Sequence, residues 1–307
     1  AGSHLHQVHG ALQMVDVAGV ERVGETAEQV IDRFKDGALE LTPERAATVG
    51  EAYRALVEYL EELLDGAAPQ PVRLFPYYRA LQELLGVERV HPGQMLELDL
   101  APALLPGGGA GPVPDYAAAR AAFEKALLPF LRGADVDAQR AQAGAMRDAL
   151  APVVHGQPQA EAHAFWLALQ AVADLVALGQ VAPDLYVKQL FGQINLQLRR
   201  MAQGHTNLPE ALLRDALFFL SAATEPTPDA RLLRDAYHVA GQVPADYLER
   251  RYGRVDPEAL KDARAALIET KQGWDRVASE GGDPLEGGFN DALSRLAGAS
   301  EKLGAPA

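Results

Sequence analysis

Cysteine is absent from the 307 residues, which excludes disulfides, thiolate metal sites and cysteine nucleophiles and fits a cytoplasmic protein. Basic residues are outnumbered: 28 Lys and Arg against 42 Asp and Glu leave a net charge of -14. An acidic surface of that size repels nucleic-acid phosphates and anionic headgroups, so no nucleic-acid partner is expected. No apolar run reaches the roughly 18 residues that a membrane span needs, and no signal peptide is visible. Direct membrane insertion is therefore not expected. Long β-branched runs are scarce too, and no convincing strand can be read. No Ser/His/Asp elbow, no His-Glu-x-x-His and no credible carboxylate pair stands out, so no catalytic residue and no cofactor is assigned.

What the chain does have is Ala, Leu and helix punctuation, with 48% hydrophobic residues. Leu5, Val8, Leu12 and Val15 fall at spacings of three and four and predict a first helix to about Val15. Val20 to Phe34 is a second, closed by Gly37. Thr42-Pro43-Glu44 opens a third to about Asp65, with Thr as N-cap, Pro at the first helical position and an acid in the first turn. Leu74 to Leu85 is a fourth, and Gly86 to Pro114 reads as irregular. Further helices are expected at Asp115–Leu131, Ala138–Val154, Gln159–Leu178, Tyr186–Met201, Asn207–Ala223, Arg231–Val239, Pro244–Tyr252, Pro257–Ser279 and Gly288–Leu303. Glu51, Glu58, Glu61, Glu62 and Asp65 read as a solvated face.

The two halves echo each other. Ala11-Leu12-Gln13-Met14-Val15 matches Ala168-Leu169-Gln170-Ala171-Val172, and Gly37, Leu41, Pro43 and Glu44 match Gly204, Leu208, Pro209 and Glu210. The expectation is an all-α protein of two tandem up-down bundles. Residues 1–105 form the first with an irregular extension, 106–114 a Gly/Pro linker, and 115–307 the second with additional C-terminal helices. The linker Pro106-Gly107-Gly108-Gly109-Ala110-Gly111-Pro112 follows no strand and has no nearby Lys, so it is no phosphate cradle. Ala1-Gly2-Ser3-His4 looks partly like a cloning scar, and because the helical pattern starts at once, an upstream start of the natural chain is expected.

Several residues stand out as candidates. His6 and Gly10 lie four apart on one helical stripe, a nucleophilic imidazole one turn from a bare patch where a partner backbone can approach. His9, three residues on, reads as an orienting or surface neighbour and not as a second acceptor. His4, His6 and His9 lack a nearby carboxylate, and no native metal site is assigned. Phe75, Tyr77 and Tyr78 can be read as a docking patch or as packing against the first bundle. Arg199 and Arg200 can be read as docking cations or as charges complementing a helix C-terminus.

His6-Gln7-Val8-His9-Gly10-Ala11 resembles the His-x-Leu-Lys-Gly-Ser/Ala motif of histidine phosphotransfer (Hpt) domains, with Val for Leu and His9 for Lys. With the following Leu12-Gln13-Met14-Val15, it is similar to the N-terminal Hpt-like region of the CheA-like chemosensory kinases called ChpA or PilL. That region is related to the scaffold protein FimL. Arg73-Leu74-Phe75-Pro76-Tyr77-Tyr78-Arg79, His91-Pro92, Asp99-Leu100, Phe165-Trp166, Gln197-Leu198-Arg199-Arg200-Met201 and Leu212-Leu213-Arg214-Asp215 are further landmarks, in the same order.

The resemblance implies a part in type IV pilus and twitching-motility signalling, in the cytoplasm and recruited to the cell pole. It implies a docking or scaffold module and no enzyme: the Asn-rich box and Gly-x-Gly turns of an ATP-binding kinase core are not in this chain. The implied partners are response-regulator receiver domains and coupling or pilus-pole scaffold proteins. Two alternatives stay open. One is an active phosphotransfer domain accepting phosphate on His6. The other is a helical ligand-binding sensor with a pocket between the bundles.

Overall fold

Short polar residues in front of apolar repeats start the helices. The Thr42 hydroxyl accepts from the Arg45 N–H at 3.3 Å. The carboxylates of Asp115, Asp135 and Asp184 accept from the N–H groups of Ala118, Ala138 and Val187 at 2.9, 3.0 and 2.9 Å. Each satisfies an amide that the first turn would otherwise leave open. The computed structural model describes residues 17, 19–101, 105, 109, 111–133, 135–253, 257–280 and 289–302, excluding the side chains of 257–260, 277, 280 and 299–302. The first expected helix, with His6, His9 and Gly10, lies outside the described residues.

The described residues form eleven α-helices and no strand, so the fold is all-α as the composition implies. They are α1 (Val20–Lys35), α2 (Pro43–Leu64), α3 (Phe75–Leu84), α4 (Tyr116–Arg132), α5 (Val136–His155) and α6 (Ala160–Ala177). Then follow α7 (Leu185–Ala202), α8 (Glu210–Ala222), α9 (Pro228–Ala236), α10 (Pro257–Glu280) and α11 (Phe289–Lys302). Two single 3-10 turns, Pro71–Leu74 and Pro92–Met95, lie before and after α3. Gly37, with φ of 69°, follows α1 in the left-handed conformation that glycine adopts without steric cost.

Helices α1, α2 and α3 pack pairwise, and α4 to α9 form a second set around α6. Helix α6 buries residues on most of its circumference between Ala162 and Val176, as a central helix must, with Gln170 and Asp174 left half-buried on a polar stripe toward Arg147. It packs against α5, α8 and α9, and Phe165 and Trp166 in its first half are 2% and 0% exposed. One continuous apolar cluster runs from Val20 to Tyr252 and includes both sets. Helices α10 and α11 pack against each other, with Trp274 and Phe289 6.1 Å apart.

Three stretches differ from the pattern read in the sequence. Helix α9 begins at Pro228 and not at Arg231, because Thr227 caps it: its hydroxyl accepts from the Ala230 N–H at 3.4 Å. Thr227-Pro228-Asp229 is the same start signal as Thr42-Pro43-Glu44, hidden behind the adjacent Pro226. Residues 244–252 are turns, not a helix, held by bonds such as Glu249 N–H to Asp246 C=O at 2.9 Å. Tyr247 packs on Phe218 and Tyr252 on Tyr59, with ring centroids 5.2 and 6.0 Å apart. Five residues of α-helix would turn those two rings about 140° away from each other, so burying both needs a non-helical path.

The third difference concerns the acidic face of α2. It receives the segment Arg250–Gly253. Arg250 pairs with Glu51 at 2.5 Å, and Arg251 donates twice to one Glu62 oxygen at 3.0 and 3.2 Å. The Tyr252 hydroxyl donates to the other Glu62 oxygen at 2.8 Å, and the Gly253 N–H to Glu58 at 3.0 Å. Charge repulsion along the acidic ridge is relieved by the two arginines, so the ridge is an intramolecular contact and not only a solvated face.

Candidate functional site

The irregular stretch after α3 carries the site. Pro92 opens the 3-10 turn, and His91 caps it: its Nδ1 accepts from the Gly93 N–H at 3.0 Å, and Gln94 Oε1 accepts from the His91 N–H at 3.4 Å. This capping box fixes the imidazole against its own backbone. The ring lies between Tyr186 of α7 and Phe218 and Phe219 of α8, with centroid distances of 5.6, 5.5 and 5.5 Å and near-perpendicular planes. Asp215 of α8 completes the surround, with Oδ1 3.0 Å from His91 Nδ1. Gly93 permits the approach, since a Cβ there would sit 3.0 Å from Asp215 Oδ1 and 3.2 Å from its Cα.

Above this contact is a cleft of about 230 Å³, walled by Arg89 to Gln94, by α7 and by the start of α8. The α7 wall is a polar stripe: Gln189, Gln193, Gln197 and Arg200 follow at spacings of four, four and three, one face of the helix over roughly 16 Å. Gln193 faces the Arg89 guanidinium at the cleft wall, and its amide meets that arginine as an acceptor when the oxygen is the atom turned toward it. Gln197 is 1% exposed, and its amide nitrogen donates to the Asn207 carbonyl at 2.7 Å. Its Oε1, like His91 Nε2, is buried without a hydrogen-bond partner among the described residues.

Burial sets the protonation of the neighbouring groups. Desolvation raises the Asp184 carboxyl above its ordinary value of 3.8, against the pull of the Val187 and Tyr186 amides and of His91. Burial, then the nearby Asp184 and Tyr186, pushes the Tyr247 phenol well above its ordinary range, so it stays a hydroxyl. Among the described residues no serine, threonine or tyrosine lines the cleft, so none of them sets a hydroxyl nucleophile beside the His91–Asp215 pair there. The described residues hold no cluster of three or more potential metal ligands, and none of their helices is long and apolar enough to cross a membrane.

The structure brings one of the sequence candidates to this cleft. Arg200 lines it and is exposed; Arg199 is exposed beside it and does not line it. Phe75, Tyr77 and Tyr78 are 0%, 2% and 6% exposed, so their rings offer no free face to a partner. Phe75 meets Tyr186 at 5.8 Å, and the Tyr77 hydroxyl donates to the Tyr252 carbonyl. These contacts are within the chain, and they reach α7 and the 244–252 segment and not only the first set of helices. His163, which falls opposite His6 when Ala11–Val15 is set against Ala168–Val172, is 4% exposed inside α6, with Nδ1 3.2 Å from the Val154 carbonyl. The functional reading of the sequence missed His91, Asp215 and the three glutamines, which entered only as landmarks or not at all. The glutamine spacing was a usable signal; the His91–Asp215 contact had none.

Comparison with known proteins bears on the half of the cleft that α7 and α8 build. Residues 109–250 match a family described as the FimL scaffold protein second domain. The chain is similar to FimL. The scaffold protein FimL of Pseudomonas aeruginosa is 24% identical over 255 residues, which is 80% of this chain and 44% of that protein. The chain thus spans less than half the length of that relative. No solved structure matches it significantly. The family match covers α4 to α9, whereas Arg89 to Gln94 precede it, so the cleft joins FimL-like helices to a segment outside the match.

Proposed function

We propose that this chain is a non-catalytic docking module of the type IV pilus chemosensory system, a scaffold in the sense of the relative's name. The observation that carries the reading is the similarity to FimL over most of the chain, with the second-domain match across α4 to α9. The landmark order read in the sequence extends it to the Hpt-like N-terminal region of ChpA/PilL-type kinases, with tandem bundles divided at residues 106–114. Its partners in this reading are receiver domains and coupling or pole-scaffold proteins of that pathway, met in the cytoplasm at the cell pole. The cleft favours protein docking over a small-molecule sensor. Its roughly 230 Å³ is below the range of about 300–1,000 Å³ usual for ligand cavities.

Two measurements test the proposal. Tagged full-length protein, cross-linked in cells, is expected to capture chemosensory or pilus-pole proteins, and deletion is expected to reduce twitching zones. No capture together with normal twitching overturns the reading. Incubation with the phosphorylated cognate kinase or receiver is expected to leave the chain unlabelled. Label that appears on wild type and disappears in His6→Gln establishes phosphotransfer instead.

A further inference from the structure

We propose that the seam cleft is a peptide-carboxylate site: it takes an acidic side chain or a C-terminal carboxylate, with the adjoining backbone amide, from a partner protein. This deepens the docking reading and rests on it for the existence of a partner. The chemistry comes from the cleft itself. On a chain of net charge -14, the cleft gathers Arg89 and Arg200 against one carboxylate, Asp215. Neither arginine forms an ion pair with a carboxylate among the described residues, and the side chain facing Arg89 is a neutral amide, Gln193. Two guanidinium groups and one carboxylate leave a single positive charge, which suits a monoanion better than a phosphate dianion placed near Asp215.

The second requirement is a donor. Gln197 Oε1 is buried and lacks one, while the same amide's nitrogen is already engaged by Asn207. A buried acceptor without a donor is costly, and a ligand N–H removes that cost. Gln189 adds a further amide group along the wall, and Gln94, whose oxygen already accepts from the His91 N–H, adds its amide donors. An anion combined with an amide N–H is the chemistry of a peptide and not of a free inorganic ion. The start of α8, where Pro209 and Ala211 line the cleft and no side chain caps the helix, adds a partial positive charge at the same end.

The test is NMR titration of the full chain with five probes: Ac-Ala-Glu-NH2, Ac-Ala-Ala with a free C-terminus, neutral Ac-Ala-Gln-NH2, acetate and inorganic phosphate. Either carboxylate peptide is expected to shift the side-chain amides of Gln189, Gln193 and Gln197 and the backbone of Ala211; which of the two binds tighter identifies the source. Arg89→Gln and Arg200→Gln are each expected to weaken that peptide about tenfold, with melting temperature unchanged because both side chains are exposed. Equal binding of the neutral peptide, binding of acetate or phosphate as tight as the peptide, or no shift overturns the proposal. In the cross-linking assay, loss of capture by the double variant supports it. Capture that survives both substitutions overturns it while leaving the docking reading intact. Wild type that binds the carboxylate peptides yet captures no protein, together with normal twitching on deletion, overturns the docking reading instead.

Discussion

Nδ1 of His91 lies 3.0 Å from Oδ1 of Asp215 and equally 3.0 Å from the Gly93 amide nitrogen. One ring nitrogen cannot accept from Gly93 and donate to Asp215 at the same moment. A bare Nδ1 takes the amide hydrogen; a protonated Nδ1 gives its hydrogen to the carboxylate. Either way the imidazole ties the segment after α3 to α8. His91→Ala removes the ring from between three aromatics and leaves Asp215 without its partner. The expected loss is about 2–3 kcal/mol, read as a lower urea midpoint, and an unchanged midpoint rejects the seam role. Asp215→Asn keeps the volume and is expected to cost less.

Gly93→Ala probes the same contact from the backbone side. The added methyl would meet Asp215 Oδ1 and His91 Nδ1 at 3.0 Å and the Asp215 Cα at 3.2 Å. The Asp215 backbone cannot swing away as a flexible side-chain end can. A destabilisation of about 1–3 kcal/mol is expected in the same denaturation experiment. A neutral result shows that the turn and α8 slide apart at little cost.

Glu62 is the hub of the clamp on α2, where Arg251, Tyr252 and, at 3.7 Å, Arg73 converge. The Arg251 and Glu62 side chains are 45% and 30% exposed, so screening limits the ion pair to less than about 1 kcal/mol. Glu62→Ala is therefore expected to lower global stability by only about 1–2 kcal/mol, including the lost Tyr252 bond. Its larger effect is local: trypsin is expected to cut after Arg250 and Arg251 several times faster than in wild type. Equal cleavage rates contradict the clamp.

Asp184 gives a pH signature with a defined sign. Its folded carboxyl is raised above 3.8 by burial, so the folded chain holds that proton more tightly than the unfolded chain. The group's contribution to stability is fully present below the unfolded value and is lost as pH climbs through the raised folded value. Asp184→Asn keeps an oxygen for the Val187 N–H and removes the charge. The variant is expected to show a flatter stability profile on the alkaline side of pH 4 and at least wild-type stability at pH 7. A profile parallel to wild type shows that Asp184 does not titrate in this range.

How much of this was legible can be followed residue by residue. Thr42-Pro43-Glu44 announced α2, because a cap and a fixed proline φ act within one turn. The same signal at Thr227-Pro228-Asp229 was passed over because Pro226 made the stretch look like a break. Arg200 was legible as a cation at a helix end, but not as the wall of a cleft. Phe75, Tyr77 and Tyr78 were legible as a cluster, while Phe75 and Tyr77 pack on the Tyr247–Tyr252 segment, which pattern alone assigned to a helix.

The amino-acid sequence by itself determined the all-helical class, most helix starts, the core position of Trp166 and the likeness to FimL. Those follow from periodicity, caps and composition, which operate over one or two turns of chain. Only the tertiary structure decided that His91 meets Asp215, that the acidic face of α2 receives Arg250 and Arg251, and that the α7 glutamines border a cleft. These contacts join residues far apart in the chain. They are selected by which faces bury together, and no local preference carries that information.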